Sequence, residues 1–232
     1  MPWNKGILRD VARRHLPLRI AHIGDSTSES LVSSNYLPDP AQRLGAQYAR
    51  VGATHSIMRI QGGTSVVETI GGQPNAYQVA KNLVGSGYHG CWVVALGTND
   101  AADVYVGSNV SFAQRIQRMM SVIGNAPVLW VNTVSLLSSG PYAESNMQRW
   151  DEALRQACSS HPDMAVFDWA ALAKRSWFIS DGIHYSSEGS AKRAAAIADA
   201  LATAFPATGP AAGGSHCVVR AQPDWNLPSY QG

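Results

Sequence analysis

The sequence predicts an α/β fold: a parallel sheet of about five strands with helices on both faces. Three observations predict it. Five short apolar runs recur along the chain, each bounded by turn residues, as buried parallel strands are. The segments between them carry apolar residues at helical spacing. The length of 232 residues holds one such domain of about 200 residues, and a hydrophobic fraction of 45% is enough to fill its core.

The first strand reads Leu18-Arg19-Ile20-Ala21-His22-Ile23 and runs into Gly24-Asp25-Ser26. The second, His55 to Ile60, ends at Gly62-Gly63. The third, Cys91-Trp92-Val93-Val94-Ala95-Leu96, leads into Gly97-Thr98-Asn99-Asp100. Val128-Leu129-Trp130-Val131-Asn132, just after Pro127, is the fourth, and Met164-Ala165-Val166-Phe167-Asp168 the fifth. Helical stripes appear at Phe112, Ile116, Met119 and Ile123, then at Met147, Trp150, Leu154 and Ala157. A last stripe runs through Ala191, Ala194, Ala198, Leu201 and Phe205, with Ser186 or Ser187 as its cap. These stripes read as core. The chain divides into an N-terminal extension over 1–17, one domain over 18–205, and a Gly/Pro-rich linker and C-terminal tail over 206–232 that holds Trp225 and Tyr230.

Charge narrows the function classes. Only 15% of residues are charged and the formal net charge is +2, with no run of Lys and Arg to track a groove, so nucleic acid is not expected as a partner. No apolar stretch reaches the roughly 18–20 residues of a membrane span. Lys5, Arg9, Asp10, Arg13, Arg14 and Arg19 interrupt the apolar runs a leader would need. Either the protein stays inside the cell, or a longer chain carries the leader or membrane segment.

In a parallel α/β sheet, ligands sit at the carboxyl ends of the strands. Four polar sets converge there: Ser26 after strand one, Gly62-Gly63-Thr64-Ser65 after strand two, Asn99-Asp100 after strand three, and Asp181-Gly182-Ile183-His184 before the last helix. Each set alone is an ordinary turn or loop; the convergence carries the argument. A serine hydroxyl is a weak nucleophile and needs an adjacent base. His184 is the candidate base, and Asp181 the residue that holds its other ring nitrogen. The backbone N–H groups of Ser26 and Gly63 and the side-chain amide of Asn99 are the candidate donors to a developing oxyanion. No cofactor is expected, and no His/Cys/Glu spacing suggests a metal hydrolase.

On these residues the chain resembles the SGNH hydrolase superfamily, also called GDSL esterases or lipases. Its four blocks match Ser26 in Gly-Asp-Ser-Thr, Gly63 in Gly-Gly-Thr-Ser, Asn99 in Gly-Thr-Asn-Asp and His184 in Asp-Gly-Ile-His, over about Arg19 to Phe205. Thr27 departs from the pattern, standing where many members have Leu, but it follows the nucleophile and leaves the chemistry intact. The resemblance implies a flavodoxin-like, three-layer α/β/α fold and acyl hydrolysis or transfer through an acyl-serine. Gly63 is preferred over Gly62 because the residues after it fit the block better. Gly72-Gln73-Pro74-Asn75-Ala76, Asn146-Met147-Gln148-Arg149-Trp150 and Asp181 to Tyr185 resemble actinobacterial envelope-associated members, some fused to membrane acyltransferases that act on acylated glycans. That implies an acylated small molecule or glycan as substrate, with acetyl or another short acyl group, and an extracytoplasmic place in a larger membrane-associated protein.

Three alternatives stand beside this reading. An α/β-hydrolase shares the Ser…Asp…His order, but position 28 is Ser, so Gly-x-Ser-x-Gly is absent. A non-catalytic glycan-binding module is opposed by the full catalytic set. An O-acyltransferase uses the same acyl-serine, and the residues do not separate it from an esterase. Cys91 opens strand three and Cys158 ends a helix, both at the rim opposite the site; a disulfide between them, suited to an exported domain, stands equal with two buried thiols. Arg59 reads as a loop cap or an anion contact, and Asp100 and Asp103 as organisers of their loop. Tyr105, Leu136, Leu137 and Tyr142 are candidate pocket residues.

Overall fold

The computed structural model describes residues 19–206, 211–212 and 217–221. The expected N-terminal extension, and Trp225 and Tyr230 of the tail, lie outside these. The strands are β1 (Arg19–Gly24), β2 (His55–Ile60), β3 (Cys91–Ala95), β4 (Val128–Val131), β5 (Met164–Phe167) and β6 (Val218–Val219). The helices among the described residues are α1 (Ser26–Glu29), α2 (Leu44–Arg50), α3 (Ala76–Gly85), α4 (Thr98–Tyr105), α5 (Phe112–Ile123), α6 (Glu144–Cys158) and α7 (Ser187–Ala204). All strand pairs are parallel, in the order β2-β1-β3-β4-β5-β6.

Strand side chains alternate between two cores. Ile20, Val93, Ala95, Leu129, Val131, Ala165 and Phe167 pack against α2 and α7. Ala21, Ile23, Trp92, Val94, Val128, Trp130, Met164 and Val166 pack against α3, α4, α5 and α6. β3, β4 and β5 are buried along their whole length, which is why they read as unbroken apolar runs rather than alternating ones. The expected three-layer α/β/α arrangement is present.

The helix starts follow local chemistry. Asn75 and Gln78 form a reciprocal capping box on α3, and Ser111 and Gln114 form one on α5. Ser186 caps α7 by accepting from the Gly189 amide. The sequence stripes identify α5, α6 and α7. Helices α1, α2 and α4 escape them because each spans about two turns or fewer, too short to display a period.

Two expectations change. The sheet has a sixth strand inside the segment read as linker and tail: Val218 and Val219 pair with Val166 and Phe167 of β5. Val219 and Ala221 are buried, and Ala211 and Ala212 pack against the same core. The disulfide joins Cys158 to Cys217, with Cα atoms 6.1 Å apart, and Cys91 is a free, buried thiol. Cys91 faces the core under α2 and α7, whereas Cys158 belongs to the core on the other side of the sheet, together with Cys217. The sheet itself therefore separates Cys91 from Cys158. No helix among the described residues is long and apolar enough to cross a membrane.

Candidate active site

The strand order reverses direction between β1 and β3, since the chain leaves β1 for β2 on one side and returns to β3 on the other. Loops at such a switch point diverge and leave a crevice at the carboxyl ends of the strands. Ser26 stands at the end of β1 and Asn99 just beyond β3, on its two sides.

Ser26 is the first residue of α1. Asp25 caps the helix: its Oδ1 accepts from the Thr27 amide at 2.9 Å and from the Thr27 hydroxyl at 2.7 Å. Gly24 permits the tight turn, because a Cβ there would meet the Ser28 side chain. Ser26 is half-buried, while Asp25, Thr27 and Ser28 around it are buried. A short, capped turn with buried flanks thus presents one hydroxyl.

His184 reaches Ser26 across the sheet rim. Its Nε2 lies 2.8 Å from Ser26 Oγ and its Nδ1 2.7 Å from Asp181 Oδ2. Asp181 Oδ1 accepts from the backbone amides of Ile183 at 2.8 Å and His184 at 2.9 Å. Burial pushes the Asp181 carboxyl up, but these two amides and the His184 ring outweigh it and hold the group below its ordinary value. An ionised Asp181 fixes the proton on Nδ1 and leaves Nε2 as the acceptor for the Ser26 hydroxyl. Gly182 makes the turn at φ +71°, packed against Leu136 and Leu137. The Leu136 amide donates to the Gly182 carbonyl at 2.8 Å, so the loop after β4 supports the His184 loop from behind.

The expected oxyanion donors are also drawn together. The Gly62 amide donates to Glu29 Oε1 at 2.6 Å and is therefore occupied. The amides of Ser26 and Gly63 have no hydrogen-bond partner among the described residues. Gly63 adopts φ +77°, a conformation that favours glycine, and a Cβ there would meet the exposed Ile70 side chain. Asn99, on the first turn of α4, donates through Nδ2 to the Thr64 carbonyl at 3.0 Å. Glu29 thus ties the second loop to α1, and Asn99 ties it to α4.

Several residues around the site carry no motif signal. Arg193 of α7 is buried and donates from Nη1 to the Thr27 carbonyl at 2.6 Å and to Thr27 Oγ1 at 2.9 Å. Its guanidinium lies 5.0 Å from the centroid of the Tyr185 ring. Thr27, the departure from the family pattern, thus links Asp25 to Arg193. Arg115 of α5 is fully buried and binds Glu68 and Asp100. One signal was present in the sequence: Arg115 falls on the apolar stripe of its helix, three residues after Phe112 and four before Met119, where a charge has to be paired.

The remaining candidates sort by contact. Asp100 organises its loop: Oδ1 accepts from the Val66 amide at 2.9 Å, and burial pushes its carboxyl up to about 7 against the pull of Arg115. Asp103 is pushed up to about 6 by burial and by Glu68. Arg59 is exposed and donates to the Met58 carbonyl at 3.2 Å. Leu136, Leu137 and Tyr142 are half-buried, and Tyr105 is exposed at the end of α4. No three metal-ligating side chains come together among the described residues.

No family model matches the chain, and no curated protein sequence does. Solved structures match with probability 1.00. Est24, a carbohydrate acetylesterase from Sinorhizobium meliloti, is 17% identical with a TM-score of 0.61, over 79% of this chain and 98% of its own. The C-terminal catalytic domain of the peptidoglycan O-acetyltransferase OatA from Streptococcus pneumoniae is 13% identical with a TM-score of 0.56, over 77% of this chain and 88% of its own. A protein from Slackia heliotrinireducens, provisionally assigned as an SGNH hydrolase, is 15% identical with a TM-score of 0.53, over 79% of this chain and 96% of its own. At these identities the likeness is one of architecture: the chain shares the α/β/α fold of these solved structures.

Proposed function

We propose that the chain is a serine esterase that cleaves acetyl or other short acyl esters on cell-envelope glycans through an acyl-Ser26 intermediate. The observation that carries the proposal is the unbroken relay from Ser26 Oγ to His184 Nε2 at 2.8 Å and from His184 Nδ1 to Asp181 at 2.7 Å. Ser26 Oγ attacks the ester carbonyl carbon as its proton passes to His184 Nε2. Asp181 steadies the imidazolium. The tetrahedral oxyanion takes hydrogen bonds from the Ser26 and Gly63 amides and the Asn99 side-chain amide. Collapse breaks the C–O bond, and His184 returns the proton to the departing alcohol. Water then repeats the cycle on the acyl-serine, giving the acid and restoring the Ser26 hydroxyl.

The substrate class rests on two supports. The Sinorhizobium relative is a carbohydrate acetylesterase. The Cys158–Cys217 disulfide suits an oxidising compartment, in keeping with an envelope location.

A second reading is favoured by the OatA likeness: the same acyl-serine handed to a sugar hydroxyl instead of water. One experiment addresses both readings. The protein is incubated with a panel of acetyl-sugar and longer acyl esters, with and without an oligosaccharide acceptor, beside Ser26→Ala. The expected outcome is release of short-chain acid, lowered about 10⁴-fold or more in Ser26→Ala, which stays folded. Turnover retained by Ser26→Ala removes the nucleophile. Acylated sugar formed faster than free acid makes the chain a transferase.

A further inference from the structure

Beneath the loops that hold Gly63 and Asn99 lies a buried charge cluster that the mechanism above does not use. Arg115 is its centre and is completely buried. Nη1 and Nη2 each donate to one oxygen of the Glu68 carboxylate, both at 2.5 Å, a bidentate pair. Nη1 also donates to Asp100 Oδ1 at 2.9 Å, and Nη2 to Ser108 Oγ at 2.8 Å. Nε donates to the Val110 carbonyl at 3.0 Å. Asp103 Oδ2 stands 3.8 Å from Nη1.

Its two closest carboxylate partners, Glu68 and Asp100, each belong to a segment that carries an expected oxyanion donor. Glu68 lies five residues after Gly63 and also accepts from Ser65 Oγ at 3.0 Å and Ser108 Oγ at 2.7 Å. Asp100 follows Asn99 directly in α4 and accepts from the Val66 amide, three residues after Gly63. One guanidinium therefore spans the gap between the loop after β2 and the start of α4. A fully buried guanidinium is costly unless its carboxylate partners stay in place, and those partners, Glu68 and Asp100, come one from each segment, so the cluster holds the two segments at one spacing. Oxyanion stabilisation depends on such fixed spacing, because donors displaced by about 1 Å lose most of their transition-state advantage.

We infer that Arg115, through Glu68 and Asp100, is a positioning residue that sets the separation of the Gly63 and Asn99 donors in the oxyanion hole. The inference rests on the esterase reading above. Arg115 touches no reacting atom; its effect is transmitted by the two loops. Loosening the cluster lowers kcat and leaves KM nearly unchanged, since ground-state binding needs the donors less than the transition state does.

The test is a double-mutant cycle on hydrolysis of p-nitrophenyl acetate. Glu68→Gln is the main variant, because Glu68 is partly exposed and its isosteric amide keeps the fold. Arg115→Lys is the second. Expected is a roughly tenfold fall in kcat for Glu68→Gln with KM within about twofold, and a larger fall for Arg115→Lys. Asn99→Ala removes one of the two donors whose spacing is at issue. In the Asn99→Ala background the Glu68→Gln effect should therefore shrink to about twofold or less. A purely structural role would leave the Glu68→Gln factor the same in both backgrounds. That additive result overturns the inference, as does a rise in KM at unchanged kcat. If Ser26→Ala retains wild-type turnover, the esterase reading fails instead, and the two failures are distinguishable.

Discussion

At the scale of single residues, the chemistry turns on which groups are occupied and which are left open. Glu29 takes the Gly62 amide, whereas the Gly63 amide has no partner among the described residues, which supports Gly63 as the donor preferred from the sequence. Asn99 is held by the Thr64 carbonyl, so its removal costs one oriented donor. Asn99→Ala should lower kcat by about 10²- to 10³-fold with little change in KM. A loss confined to KM would assign Asn99 to substrate binding alone. In the proposed mechanism His184 accepts the Ser26 proton, which only a neutral ring can do. Turnover should therefore fall on acidification from neutral to mildly acid pH. The Asp181 carboxyl, held below its ordinary value, stays ionised over that range and does not contribute to the fall. A kcat/KM that stays flat across the range would exclude His184 as the base.

At the scale of elements, the site is a meeting of loops whose positions come from packing behind them. Gly97 shows the coupling. It turns at φ +135° between β3 and α4, and the indole of Trp150 in α6 occupies the place a Cβ would need. The position of Asn99 thus depends on a helix more than forty residues further along the chain. β6 has only two residues, and the Cys158–Cys217 disulfide anchors the chain immediately before it. The disulfide closes a separation of 59 residues. Chain entropy assigns such a link about 4 kcal/mol, an upper figure for most proteins. Replacing Cys158 and Cys217 by Ser should lower the urea midpoint by the equivalent of about 2–4 kcal/mol. Thiol counting on the denatured, unreduced protein should give one free thiol, that of Cys91. A count of three would remove the disulfide and the support it lends to an envelope location.

At the scale of the whole molecule, buried titratable groups set opposing dependences of stability on pH. Burial, and then the charge of Arg193, lower His22 to about 3. Its ordinary value in an unfolded chain is about 6.5. The unfolded state therefore binds the His22 proton first as pH falls, and the stability present above pH 6.5 is lost progressively towards pH 3. Asp100 and Asp151 act the other way. Burial raises both to about 7, so the native state binds their protons more readily, and stability declines as pH rises from about 4 to about 7. His22 thus contributes to the acid limb together with Glu68, whose carboxyl burial pushes up but whose hydrogen bonds to Arg115 and Ser108 bring down to about 2. His22→Gln should narrow the difference in urea midpoint between about pH 4 and pH 7. An unchanged difference would assign acid sensitivity to another group.

Much of this protein is legible in its sequence because parallel strands and serine chemistry both leave local marks. Among the described residues, β1, β3, β4 and β5 are largely apolar runs between turns, and a buried strand needs little more to be recognised; β2, an exposed edge strand, is marked instead by its position before Gly62-Gly63. The four motif blocks are short and local, so Ser26, Gly63, Asn99 and the Asp181/His184 pair can be read in order. What escaped the sequence is long-range. β6 has two residues and no period; its place follows from the disulfide and from the open edge of β5. Which cysteines meet depends on which side of the sheet each faces, and no spacing along the chain encodes that. Arg115 and Arg193 sit on helix faces that read as core, and their carboxylate or carbonyl partners come from segments distant in sequence. The proposed nucleophile and its base are specified by residue type and neighbours. Their separation of 2.8 Å, and the spacing of the donors around them, arise only when the folded layers bring segments 158 residues apart against one another.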